Sequence, residues 1–473
     1  MTHYNIIYNM TLGSVCNTIE QTKGSYNDQR RGTCMKESRK TLFKWVAAMV
    51  MVAMLAACST KAPAPSTNTP TNSVGDSDPV RLTVWAQPSL DWPTNTDKKN
   101  QDLYEYIQGE MEKKFPGIII DYVGKGWGDD LRQNLMLAVM AGNPPDVSFG
   151  EDFVPELAKL GALSEVPADF TTDLADGPME AAKFEDKIYA VSGMTGIFAL
   201  MYNKDVMTKA GLNPDAPPQT WDEWLDLSKK ITEAGKGEYF GSVVQTTGLG
   251  GTFRIAPFMR QLGGDLTSPD SEKITFQSPE NVKALSFLKE LSLTAPSGST
   301  ALNDENALYN LVHHGKAAFG VAGPWHISWS QNEKCNCGFA PLPVPEDGER
   351  ANVIVGNTLW FVLKQSKNQE AGMEYLRIIA SKEYQEKFAI ASGRMPSNKL
   401  AIANTELVEL VPQLAVYGEI VANEQAGPLP SYPKNGPKIW EAWHKAQESV
   451  LIGDKSIEES LAEAQKTAED LLK

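Results

Sequence analysis

Aromatic and polar side chains follow several predicted strands of this 473-residue chain, and their positions suggest a binding surface. Trp85 ends the strand predicted at 79–86, Gln87 follows it, and Glu151 and Asp152 come directly after another predicted strand. Parallel strands end at one sheet edge, where open α/β folds bind ligands. Indole faces pack on the C–H surfaces of sugars, and carboxylates or amides bond their hydroxyls. These types suit carbohydrate recognition, but Trp85 could equally pack in a core and the carboxylates could equally be solvated.

Among the tryptophans, the position of Trp325 in the sequence most clearly indicates contact with a ligand. It follows a predicted apolar strand and a Gly-Pro break, which can place its ring at the carboxyl edge of a sheet. Trp221 and Trp224 instead lie on one face of a predicted helix, as core residues do. We therefore expect Trp325 to contact ligand and the other two to be structural.

The sequence argues against catalysis. A glycosidase needs two converging carboxyl groups about 5–10 Å apart, which adjacent residues such as Glu151 and Asp152 rarely provide. The chain has no G-x-S-x-G, H-E-x-x-H or P-loop motif. Four histidines downstream of residue 57 show no metal-ligand spacing: His313, His314, His326 and His444. We expect no enzyme activity, metal or cofactor.

Two cysteines, Cys335 and Cys337, belong to the predicted folded part. A C-x-C pair alone lacks the third and fourth ligands of a structural zinc site. The spacing therefore favours a disulfide or two buried thiols over a metal site.

An apolar tract near the N-terminus has the features of a secretion signal. Trp45 to Ala57 is a run of 13 uncharged residues, too short to span a membrane but suited to the apolar region of a signal peptide. The segment 55–58, Leu-Ala-Ala-Cys, resembles a bacterial lipobox, in which the cysteine thiol is diacylated. We expect 35–57 to be a lipoprotein signal peptide, with Cys58 the first mature residue. A signal peptide with an incidental cysteine, or a buried helix, is the alternative.

The segments on either side of this signal carry few large apolar residues. Residues 1–34 show no hydrophobic period, and we expect them to be an upstream extension that results from a mis-assigned start. Residues 58–79 are rich in Pro, Ser, Thr and Asn, which predicts a flexible tether. Its coil reach is about 25 Å.

Charge and length limit the possible partners and architectures. Residues 58–473 carry 37 basic and 56 acidic side chains, a net charge of −19, which argues against nucleic acid or anionic lipid as an electrostatic partner. The part after the tether, about 395 residues, is long enough for two lobes. Strands and helices alternate from residue 79 onward, which predicts βαβ units and a largely parallel sheet.

Six segments, in this order, resemble the extracellular solute-binding proteins of ABC importers, family 1, the maltose-binding type. They are 144–163, 189–212, 217–232, 315–325, 356–381 and 392–398, the last reading SGRMPSN. The resemblance covers about residues 80–473. It implies a two-lobed α/β fold of the periplasmic-binding-protein type II, with a ligand cleft between lobes and hinge closure over the ligand.

The resemblance also implies domain boundaries and further site residues. It places one lobe at 80–194 and 357–405 and the other at 195–356 and 406–473, with crossings near 194–198 and 356–361. The tryptophan of the GPW segment, Trp325, stacks on ligand in the family. Additional candidates are Asn357, which could donate to a hydroxyl or sit in a turn, Arg394 in the SGRMPSN loop, and either Tyr432 or Trp440. The glycine-rich segment 248–254 is expected to be a mobile loop near the cleft.

The resulting hypothesis is a lipid-anchored sugar receptor on the extracellular face of a bacterial, Gram-positive membrane. It would bind a mono- or oligosaccharide as a monomer and deliver it to an ABC permease. Alternatives are a receptor for a non-sugar solute, such as a glycerol phosphodiester, a polyamine or an iron complex, and a secreted glycosidase. An acidic cleft would favour cations, whereas Arg394 at the cleft would favour an acid or a phosphate ester.

Overall fold

The computed structural model describes residues 79–86, 98–151, 153–269, 272–430, 432 and 434–473, which form part of one compact unit from Ser77 to Lys473. The predicted upstream extension, signal peptide, Cys58 and nearly all of the tether lie outside the described residues, as do Gln87 and Asp152.

The strand predicted at 79–86 is present and begins two residues later than expected. The strands are β1 Arg81–Ala86, β2 Ile119–Gly124, β3 Val147–Gly150, β4 Lys183–Phe184, β5 Lys187–Ile188, β6 Val191–Met194, β7 Ala199–Asn203, β8 Phe240–Ser242, β9 Ala317–Ala322, β10 Cys337–Ala340, β11 Ala351–Val353, β12 Thr358–Val362 and β13 Gln425–Gly427.

Helices fill most of the intervals between these strands, and several form the C-terminal end. They are α1 Lys98–Lys114, α2 Gly128–Met140, α3 Val154–Lys159, α4 Asp176–Met179, α5 Lys204–Lys209, α6 Trp221–Gly235, α7 Gly248–Gln261, α8 Pro279–Ser292, α9 Glu305–His313, α10 Trp325–Asn332, α11 Gln369–Ala380, α12 Lys382–Ser392, α13 Lys399–Ile402, α14 Thr405–Leu410, α15 Leu414–Asn423, α16 Gly436–Leu451 and α17 Ile457–Leu472.

Two larger sheets organise the molecule. One has the order β2-β1-β3-β12-β6, in which β1, β2 and β3 are parallel and β12 is antiparallel to both its neighbours. The other has the order β10-β7-β9-β8, with β8 parallel to β9 and β7 antiparallel to β9 and β10. Each sheet lies in its own apolar core, one containing Trp360 and Tyr375 and the other Trp224 and Phe319.

Short segments link the two sheets. Residues 195–198 connect β6 of the five-stranded sheet to β7 of the four-stranded sheet. Residues 354–357 lead from β11 into β12, and Thr195 forms a bridge with Met395 in the SGRMPSN segment. Residues 195–198 therefore join the two larger sheets directly, and residues 354–357 join the β11–β13 pair to the five-stranded sheet.

Local sequence signals account for most helix ends. A capping box begins α6, where the Thr220 hydroxyl accepts from Glu223 N–H and the Glu223 carboxylate accepts from the Thr220 N–H. Gly211 follows α5 and adopts φ +76°, the left-handed conformation that glycine adopts without steric cost.

The prediction of a mobile loop at 248–254 is wrong. These residues form the first turns of α7, and Gly251, Thr252 and Arg254 are buried there. A Cβ on Gly251 would lie 2.7 Å from the Thr246 carbonyl carbon, so this glycine permits a close backbone approach. The glycine run therefore serves packing, and the segment is held by α16: Gln447 Nε2 donates to Gly248 O at 2.7 Å.

Cys335 and Cys337 are joined by a disulfide, one of the two states that their spacing favours. Within the described ranges, no three His, Cys, Asp or Glu side chains are grouped so that they could hold a metal ion. Among the helices of those same ranges, none is both long and apolar enough to span a membrane.

Candidate functional site

The carboxyl ends of β1, β2 and β3 form one edge of the five-stranded sheet. Trp85 pairs in register with Val123 and Ser148, so the residues that follow these strands emerge together. Trp85 is only 8 % exposed, and Lys125 Nζ lies 5.2 Å from the centroid of its ring. Trp85 therefore lies at the predicted edge, and most of its surface is packed.

The corresponding edge of the four-stranded sheet carries Trp325. The last residue of β9, Ala322, pairs with Ala199 at the start of β7, and Trp325 opens α10 three residues later. A Cβ on Gly356 would lie 2.8 Å from Trp325 Cζ3, so the segment entering β12 packs directly against this ring. The ring is 9 % exposed, and its orientation is tightly defined.

Arg394 connects the two sheet edges. Its guanidinium carbon lies 5.7 Å from the ring centroid of Trp325 and 5.8 Å from that of Trp127, which follows β2. The Arg394 Nη1 also lies 3.3 Å from the Met194 sulfur, at the end of β6. Because Trp127 follows a strand of one sheet and Trp325 follows a strand of the other, Arg394 contacts residues from both sheet edges.

A carboxylate beneath Trp325 receives three donors. Glu305 opens α9, and its Oε1 accepts from the Trp325 indole N–H at 2.9 Å and from His326 Nε2 at 3.1 Å. Arg254 Nη2 from α7 forms an ion pair with the same oxygen. Arg254 Nε donates in addition to the Tyr309 hydroxyl at 3.0 Å. This network ties α7, α9 and α10 together behind the ring.

Burial and pairing set the protonation of this network. Partial burial raises the pKa of the Glu305 carboxyl, but Arg254 and the donors His326 and Trp325 outweigh it and hold the pKa well below its usual range. Burial raises the pKa of the Tyr309 hydroxyl to about 12. Burial also lowers the pKa of His326, despite the nearby carboxylate. Glu305 is therefore ionised at neutral pH and accepts hydrogen bonds without donating any.

Asn357 directly precedes β12, whose start pairs with the end of β3, and its side chain is bonded to nearby protein groups. Its Oδ1 accepts from the Ser192 hydroxyl at 2.6 Å, and its Nδ2 donates to Pro178 O at 2.6 Å. The residue is buried. Both ends of the Asn357 amide are therefore bonded to protein groups distant in sequence, and its contact with ligand stays a prediction.

Tyr432 and Trp440 form a separate aromatic group. Their rings meet edge to face with centroids 5.3 Å apart, and Trp440 also stacks on His444 at 5.9 Å within α16. Burial raises the pKa of the Tyr432 hydroxyl. The two residues pack on the core that also contains Trp325, and their ligand contact stays a prediction.

Comparisons with known proteins identify the family. The family model described as "Bacterial extracellular solute-binding protein" matches residues 95–386. The chain belongs to this family. It is 24% identical over 456 residues to the galactooligosaccharide-binding protein of Bacillus subtilis, covering 93% of this chain and 99% of the relative. It is 26% identical over 360 residues to the arabinooligosaccharide-binding protein of the same species, covering 71% and 75%.

Solved structures confirm the predicted two-lobed α/β fold. An ABC transporter solute-binding protein of Thermotoga lettingae, bound with α-D-tagatose, matches with a TM-score of 0.71 and 25% identity over 83% of this chain and 100% of that chain. Maltose-bound MalE3 of T. maritima matches with a TM-score of 0.70 and 24% identity, with the same coverage. This solute-binding protein is a receptor by family, and not an enzyme.

Three residues of the candidate site were not predicted from the sequence: Trp127, Glu305 and Arg254. Trp127 follows β2 as Trp85 follows β1, so the strand-end rule that selected Trp85 could have found it. Glu305 precedes β9 by a whole helix, and its partner Trp325 is 20 residues away. Arg254 lies in the segment that was predicted to be a loop, so its position in α7 was not predicted.

Glu151 is half-buried at the predicted sheet edge.

Proposed function

We propose that this protein is the carbohydrate receptor of an ABC importer and binds a mono- or oligosaccharide between its lobes. The observation that carries the proposal is that Trp127 and Trp325, which follow strands of different sheets, both lie within 5.8 Å of the Arg394 guanidinium carbon. Indole faces suit the C–H surfaces of sugars, and Arg and carboxylate groups suit their hydroxyls. The oligosaccharide names of the Bacillus relatives and the tagatose in the Thermotoga structure support the same ligand class.

The lobes in this proposal are 80–194 with 357–405, and 195–356 with 406–473. Rotation of the lobes about the segments 195–198 and 354–357 would open and close the cleft over the sugar. The short length of these segments supports a hinge, since few residues must absorb the change in φ and ψ.

The anchoring part of the proposal rests on Cys58. Diacylation of its thiol would hold a monomeric receptor at the outer face of a Gram-positive membrane, and the 58–79 tether would let it reach the permease. Replacing Cys58 by alanine should release the protein into the medium and abolish incorporation of labelled palmitate. Ser66→Ala, in the same tether, is the control and should change neither. Retention of both membrane attachment and label by Cys58→Ala would contradict the anchor.

A thermal-shift screen tests the ligand class. The purified protein is heated with galactose, maltose, maltotriose, galactotriose and tagatose, and in parallel with spermidine, glycerophosphocholine and a ferric siderophore. A sugar present at 100 times its Kd should stabilise the protein by about 2.7 kcal/mol. A shift with a sugar and none with the other solutes supports the proposal. A shift with a non-sugar solute alone would overturn it.

A further inference from the structure

The Glu305 carboxylate has two acceptor oxygens, and its three internal bonds use one of them. Trp325, His326 and Arg254 all converge on Oε1, and none of the three bonds uses Oε2. The side chain of Glu305 is 28% exposed, whereas that of its ion-pair partner Arg254 is 6% exposed. Oε1 therefore belongs to the internal network, while part of the Glu305 side chain reaches the surface.

This exposed part lies beside the indole ring of Trp325. A bond of 2.9 Å joins Oε1 to the indole N–H, and the two oxygens of a carboxylate share one plane about 2.2 Å apart by covalent geometry. A molecule packed on the exposed portion of the ring would thus come within reach of Oε2. Arg254 and the Oε1 donors fix the position of that oxygen before any molecule arrives.

We propose that Glu305 is a ligand-binding residue of the cleft: Oε1 orients the Trp325 ring, and Oε2 accepts a hydrogen bond from a hydroxyl of the sugar against that ring. This inference rests on the proposed function. Because ionised Glu305 only accepts, it selects a hydroxyl donor at this position. An ether or methylated hydroxyl there would leave Oε2 buried without a donor.

The test is a double-variant cycle measured by calorimetric titration with galactotriose and, separately, with maltotriose. Glu305→Gln replaces the acceptor by a group of the same shape, and the expected loss of affinity is about tenfold to 100-fold. Glu333→Gln is the matched control: it makes the same chemical change just after α10, at a carboxylate bonded to His314, and should bind as the unmodified protein does.

Trp325→Phe separates direct contact from ring orientation, because phenylalanine has no N–H for Oε1. Adding Glu305→Gln to Trp325→Phe should still cost about tenfold if Oε2 contacts the sugar. No further loss in the double variant would overturn the direct contact. If Glu305→Gln does not fold, Glu305→Asp replaces it in the cycle, because aspartate retains the negative charge beside Arg254. Unchanged sugar affinity in Glu305→Asp would also overturn the direct contact. If neither sugar binds, the cycle is run with the sugar that gives a shift in the thermal screen; if no sugar of that screen binds the unmodified protein, the proposed function fails instead.

Discussion

The indole N–H of Trp325 donates to Glu305 Oε1 at 2.9 Å, a bond between the first residues of α10 and α9. Glu305 is held in turn by Arg254 of α7. The orientation of the ring is therefore fixed by contacts among three helices, α7, α9 and α10. Such a preorganised aromatic face loses little conformational entropy when a ligand packs on it.

The close approach of Gly356 to Trp325 can be tested with a pair of glycine variants. Gly356 has φ +58°, and an added Cβ would lie 2.8 Å from Trp325 Cζ3. Gly263 has φ +81° with nothing within 4 Å of an added Cβ. Each change to alanine should lower the unfolding free energy by about 1–2 kcal/mol, the cost of a left-handed non-glycine residue. Gly356→Ala should additionally reduce sugar affinity, measured by calorimetry; equal affinity in both variants would refute the contact.

The α6 capping box is expected to contribute to the free energy of unfolding. Thr220→Ala removes the hydroxyl that accepts from Glu223 N–H, and should lower the unfolding free energy by about 1 kcal/mol in urea denaturation. Thr467→Ala is the control, since that exposed hydroxyl only bonds Glu463 O within α17. Its replacement should be neutral or slightly stabilising because alanine favours helix interiors. A loss of similar size in both variants would show that the cap is not the cause.

The helical start of α7 can be tested at Thr252. Its hydroxyl accepts from Trp443 Nε1 at 3.1 Å and donates to Gln447 Oε1 at 2.8 Å, both in α16. Thr252→Val removes both bonds and should cost about 1–3 kcal/mol of unfolding free energy. Thr208→Val, at an exposed hydroxyl in α5, should cost much less. Rapid exchange of the Thr252 amide in the unmodified protein would contradict a helix here.

Buried His313 predicts a dependence of stability on pH. Burial, with His326 nearby, lowers the pKa of His313 from 6.5 to about 4. Between these values the unfolded chain binds a proton that the native imidazole does not, so this residue destabilises the fold as pH falls through the window. The loss is at most about 3 kcal/mol. In urea denaturation from pH 7 to pH 4, His313→Phe should show a shallower decline than the unmodified protein.

Leu293→Phe is the control for that series, because Leu293 is exposed and neither side chain titrates. The slope of its stability against pH should resemble that of the unmodified protein. An unchanged slope in His313→Phe would mean that other groups, among them His326, account for the acid sensitivity.

Much of the fold follows from local patterns, because strands, amphipathic helices and caps are encoded within a few residues. Thr220 and Glu223 are three residues apart, and their box was predictable. The segment 248–254 was not, because its helix depends on Gln447 and Trp443, nearly 200 residues away. Tertiary contacts there override the loop preference of glycine.

The candidate site was predictable only in part. The strand-end rule finds Trp85 and Trp325, since it needs only the local sequence. A glutamate in the first turn of a helix is expected because it interacts favourably with the helix dipole. The local sequence around Glu305 therefore gave no sign of its bond with Trp325. The bonds of Asn357 could not be predicted from local sequence either, because its partners Ser192 and Pro178 are far away in sequence.

The most direct test of the central claim is calorimetric titration of the unmodified protein and Trp325→Ala with galactotriose and maltotriose. We predict that the unmodified protein binds at least one of these sugars. Trp325→Ala should bind it at least about 30-fold more weakly, since loss of a central aromatic contact costs about 2 kcal/mol or more. Equal affinity of the two proteins would contradict the account.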